Sequence, residues 1–207
     1  MARLPRGLYA ITPDWTDTPR LLAAVAAALQ GGARVLQYRN KVVDAAGRHE
    51  QAGALLALCR QHGVPLIIND HLDLALAIDA DGLHLGGDDG DLNAARAALG
   101  PSKLLGASCY NRLELAHAAL IAGADHVGFG AAYPSSTKPN AVHAPLSLYR
   151  DARAALACPI VAIGGITVDN AKPLVEVGAD NVAVIGGVFE TEDVAATASV
   201  LAEMFIK

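Results

Sequence analysis

A single (β/α)8 TIM barrel is the fold this sequence predicts, on three observations. Short apolar runs without helical spacing alternate with helix-period runs eight times along the chain. The strand-like runs are apolar at nearly every position, as parallel strands covered on both faces must be. No linker or shift in composition interrupts residues 1–207, so one barrel domain is expected. A doubly wound open sheet is the competing architecture, but it needs no eight evenly spaced units.

Each unit has its own signals. Gly7-Leu8-Tyr9-Ala10-Ile11 reads as the first strand, stopped by Thr12-Pro13-Asp14, with a helix from Pro19 to Leu29 closed by Gly31-Gly32. The second strand follows Ala33 and ends in Gln37. Ala45 to His62 is amphipathic, with Ala52, Leu55, Leu56 and Cys59 on one face and Gly63 as C-cap. Val64 to Ile68, Leu83 to Leu85, Leu104 to Ala107, His126 to Phe129, Ile160 to Ile163 and Val182 to Ile185 are the remaining strands. Helices are expected at Leu72 to Ile78, Leu92 to Leu99, Arg112 to Ala122, Leu146 to Leu156, Asn170 to Val177 and Asp193 to Ile206. Ala80-Asp81, Gly123-Ala124-Asp125 and Gly178-Ala179-Asp180 each lie between a helix and a strand, as tight structural turns at the bottom of the barrel would.

Composition excludes several classes of function. Hydrophobic residues make up 53% and charged residues 18%, which suits a large core and not disorder. A net charge of −5 argues against nucleic-acid binding. Cys59, Cys109 and Cys158 show no metal or disulfide spacing, so a reducing cytoplasm is expected. Arg3 and Arg6 precede no apolar leader segment, and no run is long enough to span a membrane. A homo-oligomer is left open.

In a barrel, the strand C-termini share one functional rim. Extended backbone after the second strand would put Gln37, Arg39 and Lys41 on one side, a set suited to a phosphate or pyrophosphate. A polar strand end dissolving into solvent is the other reading. The third strand offers Asn69 and Asp70, the fourth His84, Asp88 and Asp89, the fifth Ser108. The loop after the sixth offers Ser135, Ser136, Thr137 and Lys138. Gly164-Gly165 and Gly186-Gly187 end the seventh and eighth strands, where barrels bind phosphate with bare backbone N–H groups; two ordinary turns would look the same. Asp70 and Asp89 suit Mg2+ or helix N-capping, and Asp88 suits capping. With Arg39, Lys41 and Lys138 nearby, the common ligand would be a magnesium pyrophosphate.

Other signals fail. Gly128-Phe129-Gly130 lacks the third glycine of a dinucleotide fingerprint, since position 133 is Tyr. His49, His62, His117 and His143 are expected at the surface. His84 points at the barrel mouth, as a site residue or a satisfied structural one.

Five stretches, Leu8-Tyr9-Ala10-Ile11-Thr12, Gln37-Tyr38-Arg39-Asn40-Lys41, Ile67-Ile68-Asn69-Asp70, Ala80-Asp81-Gly82-Leu83-His84-Leu85-Gly86 and Val161-Ala162-Ile163-Gly164-Gly165-Ile166, resemble the thiamine-phosphate synthase family. Pro134-Ser135-Ser136-Thr137-Lys138 is similar to its Thr-x-Thr-Lys loop. The resemblance implies a transferase of thiamine biosynthesis that joins 4-amino-2-methyl-5-hydroxymethylpyrimidine diphosphate to a thiazole phosphate and releases pyrophosphate. It implies that Gln37, Arg39, Lys41, Asn69 and Lys138 hold the diphosphate and that Asp70 and Asp89 bind Mg2+. Ser108 would touch the leaving pyrophosphate, and His84 would line the pyrimidine pocket. Ser135, Thr137, Gly165 and the backbone at Ile185 and Gly186 would hold the thiazole phosphate. Ser135 replaces the usual Thr, Gly87 a longer polar residue, and Gly186 a frequent Ser.

Two other functions remain in view. A thiazole tautomerase on the same barrel would not need Arg39, Lys41, Asp70 and Asp89 together. A non-catalytic phosphate-ligand binder would explain the glycines but not the acids.

Overall fold

The structure, a computed structural model, describes residues 4–87, 89–134 and 142–206. Eight parallel strands pair in sequence order: β1 (Gly7–Ile11), β2 (Val35–Tyr38), β3 (Leu66–Asn69), β4 (Gly82–Leu85), β5 (Leu104–Ser108), β6 (His126–Gly130), β7 (Ile160–Ile163) and β8 (Asn181–Val184). β8 returns to β1, with Gly7 opposite Asn181 and Ala10 opposite Val184, so the sheet is a closed barrel and not an open one. The surrounding helices are α1 (Thr18–Gln30), α2 (Ala45–His62), α3 (Leu72–Ala77), α4 (Leu92–Leu99), α5 (Leu113–Ile121), α6 (Leu146–Ala155), α7 (Ala171–Glu176), α8 (Gly186–Phe189) and α9 (Val194–Glu203). No helix among the described residues is long and apolar enough to cross a membrane.

Element ends differ from the sequence reading where local chemistry intervenes. β3 starts at Leu66, not Val64, because Pro65 has no N–H for the ladder. The larger difference is α8. Gly186-Gly187 is not a plain turn: the Val188 and Phe189 N–H groups both donate to the Ile185 carbonyl at 3.0 Å, winding one helical turn.

Strand alternation divides the core in two. Leu8, Leu36, Tyr38, Ile68, Leu83, Leu105, Val127 and Val182 face the helices. Tyr9, Ile11, Val35, Ile67, Leu104, Val161 and Ala183 fill the barrel. Counting on in steps of two from this inner set reaches Gln37 after Val35, Asn69 after Ile67 and, past Gly106, Ser108 after Leu104, which is how the strands deliver polar groups to one end.

The opposite end is stitched by the three aspartates of the helix–strand turns. The Asp81, Asp125 and Asp180 carboxylates accept from the Leu66, Leu105 and Ile160 N–H groups at 2.9, 2.8 and 2.9 Å. Arg96 of α4 and Arg153 of α6 pair with Asp125 and Asp180 at 2.5 and 2.8 Å. These residues are structural and lie away from the site.

Candidate active site

β2 ends at Tyr38, so Gln37, Arg39 and Lys41 do not continue one extended strand. Gln37 stays inside the barrel and donates through Nε2 to the Tyr9 hydroxyl at 2.9 Å. Thr12 closes the strand, its Oγ1 accepting from Arg39 N–H and donating to Arg39 C=O at 2.9 and 2.8 Å. Beyond that point Asp14 gathers the basic residues. Its Oδ2 accepts from Arg39 Nη1 at 2.8 Å and its Oδ1 from the Lys41 N–H at 2.8 Å.

Asp70 follows β3 with φ at 63°, a left-handed conformation uncommon outside glycine. Its N–H donates to the His84 carbonyl at 2.9 Å, which ties it to β4. Its Oδ2 lies 2.5 Å from Lys41 Nζ, so acid and base do share one lip. Asn69, half-buried, is the last residue of β3. Asp89 lies in the loop after β4, where its Oδ2 accepts from the Gly86 N–H at 3.2 Å.

Neither aspartate caps a helix. α3 is preceded by His71 with no side-chain cap, and α4 is capped by Asp91. That removes the capping alternative and leaves two hard carboxylates on neighbouring strand ends. Among the described residues no three His, Cys, Asp or Glu side chains cluster as a metal cage. Mg2+ does not require one, since it takes one or two carboxylates plus substrate oxygens and water, so this donor set fits it. Asp88, Ser135, Ser136, Thr137 and Lys138 lie outside the described residues.

His84 and Ser108 meet inside the rim, His84 Nε2 and Ser108 Oγ 2.9 Å apart. Beneath them is His126, unrecognised from the sequence. It is fully buried, its ring centre 5.8 Å from that of His84 and 6.4 Å from that of Tyr9. Burial, with His84 close by, pushes its pKa down to about 3, so it stays neutral. Burial likewise raises the Tyr9 pKa, against the pull of the Gln37 hydrogen bond. Gly106 makes room for the two imidazoles: a Cβ there would stand 2.5 Å from His84 Nδ1 and 2.6 Å from His126 Cε1.

The glycine end is mixed. Gly164 and Gly165 have φ of 97° and 63°, and a Cβ on Gly165 would stand 2.6 Å from the Tyr133 carbonyl oxygen. That brings the β6 loop directly onto the end of β7. At β8, a Cβ on Gly186 would meet the Glu190 carboxylate at 2.9 Å, where a serine hydroxyl would otherwise project.

Asp14, Tyr9, His126 and Tyr110 were missed. In the sequence Asp14 reads only as part of the Thr12-Pro13-Asp14 stop after the first strand. Tyr110 holds φ at 53° and accepts from the Gly87 N–H through its hydroxyl at 3.2 Å, filling the space left by the absent side chain at 87. His126 and Tyr9 carry a signal in the strand alternation, which places both among the inward positions.

The family model for thiamine monophosphate synthase matches residues 8–188. A thiamine-phosphate synthase from Methylobacillus flagellatus is 58% identical over 200 residues, covering 97% of this chain and 95% of that one. Another from Chromobacterium violaceum is 59% identical over 199 residues, covering 96% of each. The solved thiamine phosphate pyrophosphorylase from Pyrococcus furiosus superposes with a TM-score of 0.86 at 35% identity, covering 96% of this chain and 95% of that one. Matched by the family model over most of its length and by relatives at 58–59% identity, the chain belongs to the thiamine monophosphate synthase family.

Proposed function

We propose that this transferase of thiamine biosynthesis couples a pyrimidine diphosphate to a thiazole phosphate at the lip formed by β2, β3, β4 and β5. The observation that carries this is the contact of Lys41 with Asp70 beside the Arg39–Asp14 pair. Cations for phosphate oxygens and a carboxylate for a metal stand together on one rim. Arg39 and Lys41, with Lys138 from the β6 loop, would hold the diphosphate, and Asn69 and Gln37 would supply neutral hydrogen bonds. Asp70 and Asp89 would hold Mg2+, which when bound supplies positive charge to the diphosphate.

The reaction breaks the bond between the pyrimidine methylene carbon and the bridging oxygen, whose electron pair leaves with pyrophosphate. Arg39, Lys41 and Lys138 stabilise the charge that grows there, and Ser108 donates to the departing group. The electron-rich aminopyrimidine carries the resulting cation beside His84. The thiazole nitrogen then supplies the pair for the new C–N bond, its phosphate held by Ser135, Thr137, Gly165 and the Ile185–Gly186 backbone. No protein nucleophile is needed. Free thiols at Cys59, Cys109 and Cys158 support a reducing, cytoplasmic setting.

The direct test mixes both substrates with Mg2+ and measures pyrophosphate. Release in step with thiamine phosphate is expected, and its absence overturns the reading. Asp70→Ala should lower turnover by roughly a hundredfold or more. Wild-type-like turnover in that variant removes Asp70 from the metal site.

A further inference from the structure

We propose that Asp14 is a positioning residue that sets the geometry of the diphosphate-binding cations. This rests on the reading of the lip as a diphosphate site. One carboxylate reaches both cationic residues, Arg39 through its guanidinium and Lys41 through its main chain, each at 2.8 Å. The Arg39 side chain is only 16% exposed, so its direction depends on what holds it. A planar guanidinium held on one edge keeps its remaining N–H groups in a fixed fork for phosphate oxygens. The same carboxylate fixes the start of the loop that carries the Lys41 ammonium.

Two expectations of opposite sign separate positioning from simple charge. Removing a negative group beside an anion site should tighten anion binding if charge alone matters. If Asp14 positions, Asp14→Asn should weaken binding of inorganic pyrophosphate with Mg2+ by roughly tenfold, measured by calorimetry. KM for the pyrimidine diphosphate should rise equally, with KM for the thiazole phosphate unchanged as an internal control for folding. In an Arg39→Ala background the same substitution should add little. Unchanged or tighter pyrophosphate binding in Asp14→Asn overturns the proposal. Failure of the wild-type chain to bind pyrophosphate overturns the diphosphate reading itself.

A second observation carries an independent inference. We infer that Lys41 guards Asp70 through the Nζ–Oδ2 contact and is exchanged when metal and diphosphate arrive together. Asp70 is the fixed partner, 12% exposed and pinned through its N–H to β4. The Lys41 side chain is 49% exposed and can swing. While Nζ sits on Oδ2, a divalent cation must displace an ammonium to reach that oxygen. A diphosphate gives the displaced ammonium a new partner, so each ligand favours the other.

The test follows binding of Mn2+, as the probe, by the loss of free-ion EPR signal. Lys41→Met should bind Mn2+ alone roughly three- to tenfold more tightly than wild type, while binding pyrophosphate more weakly. Lys41→Arg, which keeps the charge, should not gain Mn2+ affinity. Equal or weaker Mn2+ binding in Lys41→Met, with Asp70→Asn abolishing it, overturns the guarding role and leaves Asp70 a ligand. Unchanged binding in Asp70→Asn overturns the metal reading as well.

Discussion

Lys41 meets Asp70 at 2.5 Å on the rim, and Asp14 holds the Arg39 guanidinium beside them at 2.8 Å. Arg39, Lys41, Asp70 and Asp89 stand out because charged groups right after apolar strands are conspicuous. Lys41→Ala should slow pyrophosphate release far more than it weakens thiazole phosphate binding, as single-turnover kinetics and titration would show. Equal effects would contradict the division into subsites. Asp14 was invisible because its partners are 25 and 27 residues away, and only closure of β1 against β2 brings them together. Gly106 carried no signal either, since its role is to leave space. Gly106→Ala should cost about 1–3 kcal/mol in chemical denaturation. It should also lower activity by displacing His84 from Ser108. Unchanged stability would mean that the imidazoles have slack which their distances do not suggest.

Secondary elements were legible almost to their ends, because caps and breakers are local. α2 runs over Ala45–His62 as expected, and Gly63 closes it at φ 65°. No atom lies within 4 Å of a Cβ built there, so Gly63→Ala tests backbone conformation alone. It should destabilise by about 1 kcal/mol, visible as a lowered denaturant midpoint with normal activity. The strand-start aspartates extend the same logic between elements. Asp125→Ala removes the ion pair of Arg96, whose guanidinium keeps only main-chain carbonyls as acceptors, and leaves the Leu105 N–H without its side-chain acceptor. A loss of roughly 2–4 kcal/mol is expected, with substrate affinities intact in the folded fraction. Altered affinities would tie this end of the barrel to the chemistry. α8 escaped notice because a glycine pair favours a turn as readily as a helix start.

At the scale of the whole molecule, the barrel interior makes stability depend on pH. His126 takes up a proton near 6.5 when unfolded but only near 3 when folded. Between those values the unfolded chain binds the extra proton, so the slope of stability against pH is positive and stability falls as acid is added. The slope from this residue is about 1.4 kcal/mol per pH unit. His126→Phe should therefore flatten the acid limb of a stability–pH profile relative to wild type. Parallel profiles would show that the imidazole is protonated inside the barrel.

The order and type of the eight strands, and of every helix but α8, followed from the sequence alone. Apolar period, caps and breakers act over a few residues and need no partner. Tertiary structure decided which charges meet: that Asp14 serves Arg39, that Lys41 covers Asp70, and that Gln37 turns inward to Tyr9. It also decided that an imidazole pair fills the room above Gly106. Such contacts depend on distance in space, and closing eight strands into a ring sets those distances for residues that the chain itself keeps far apart.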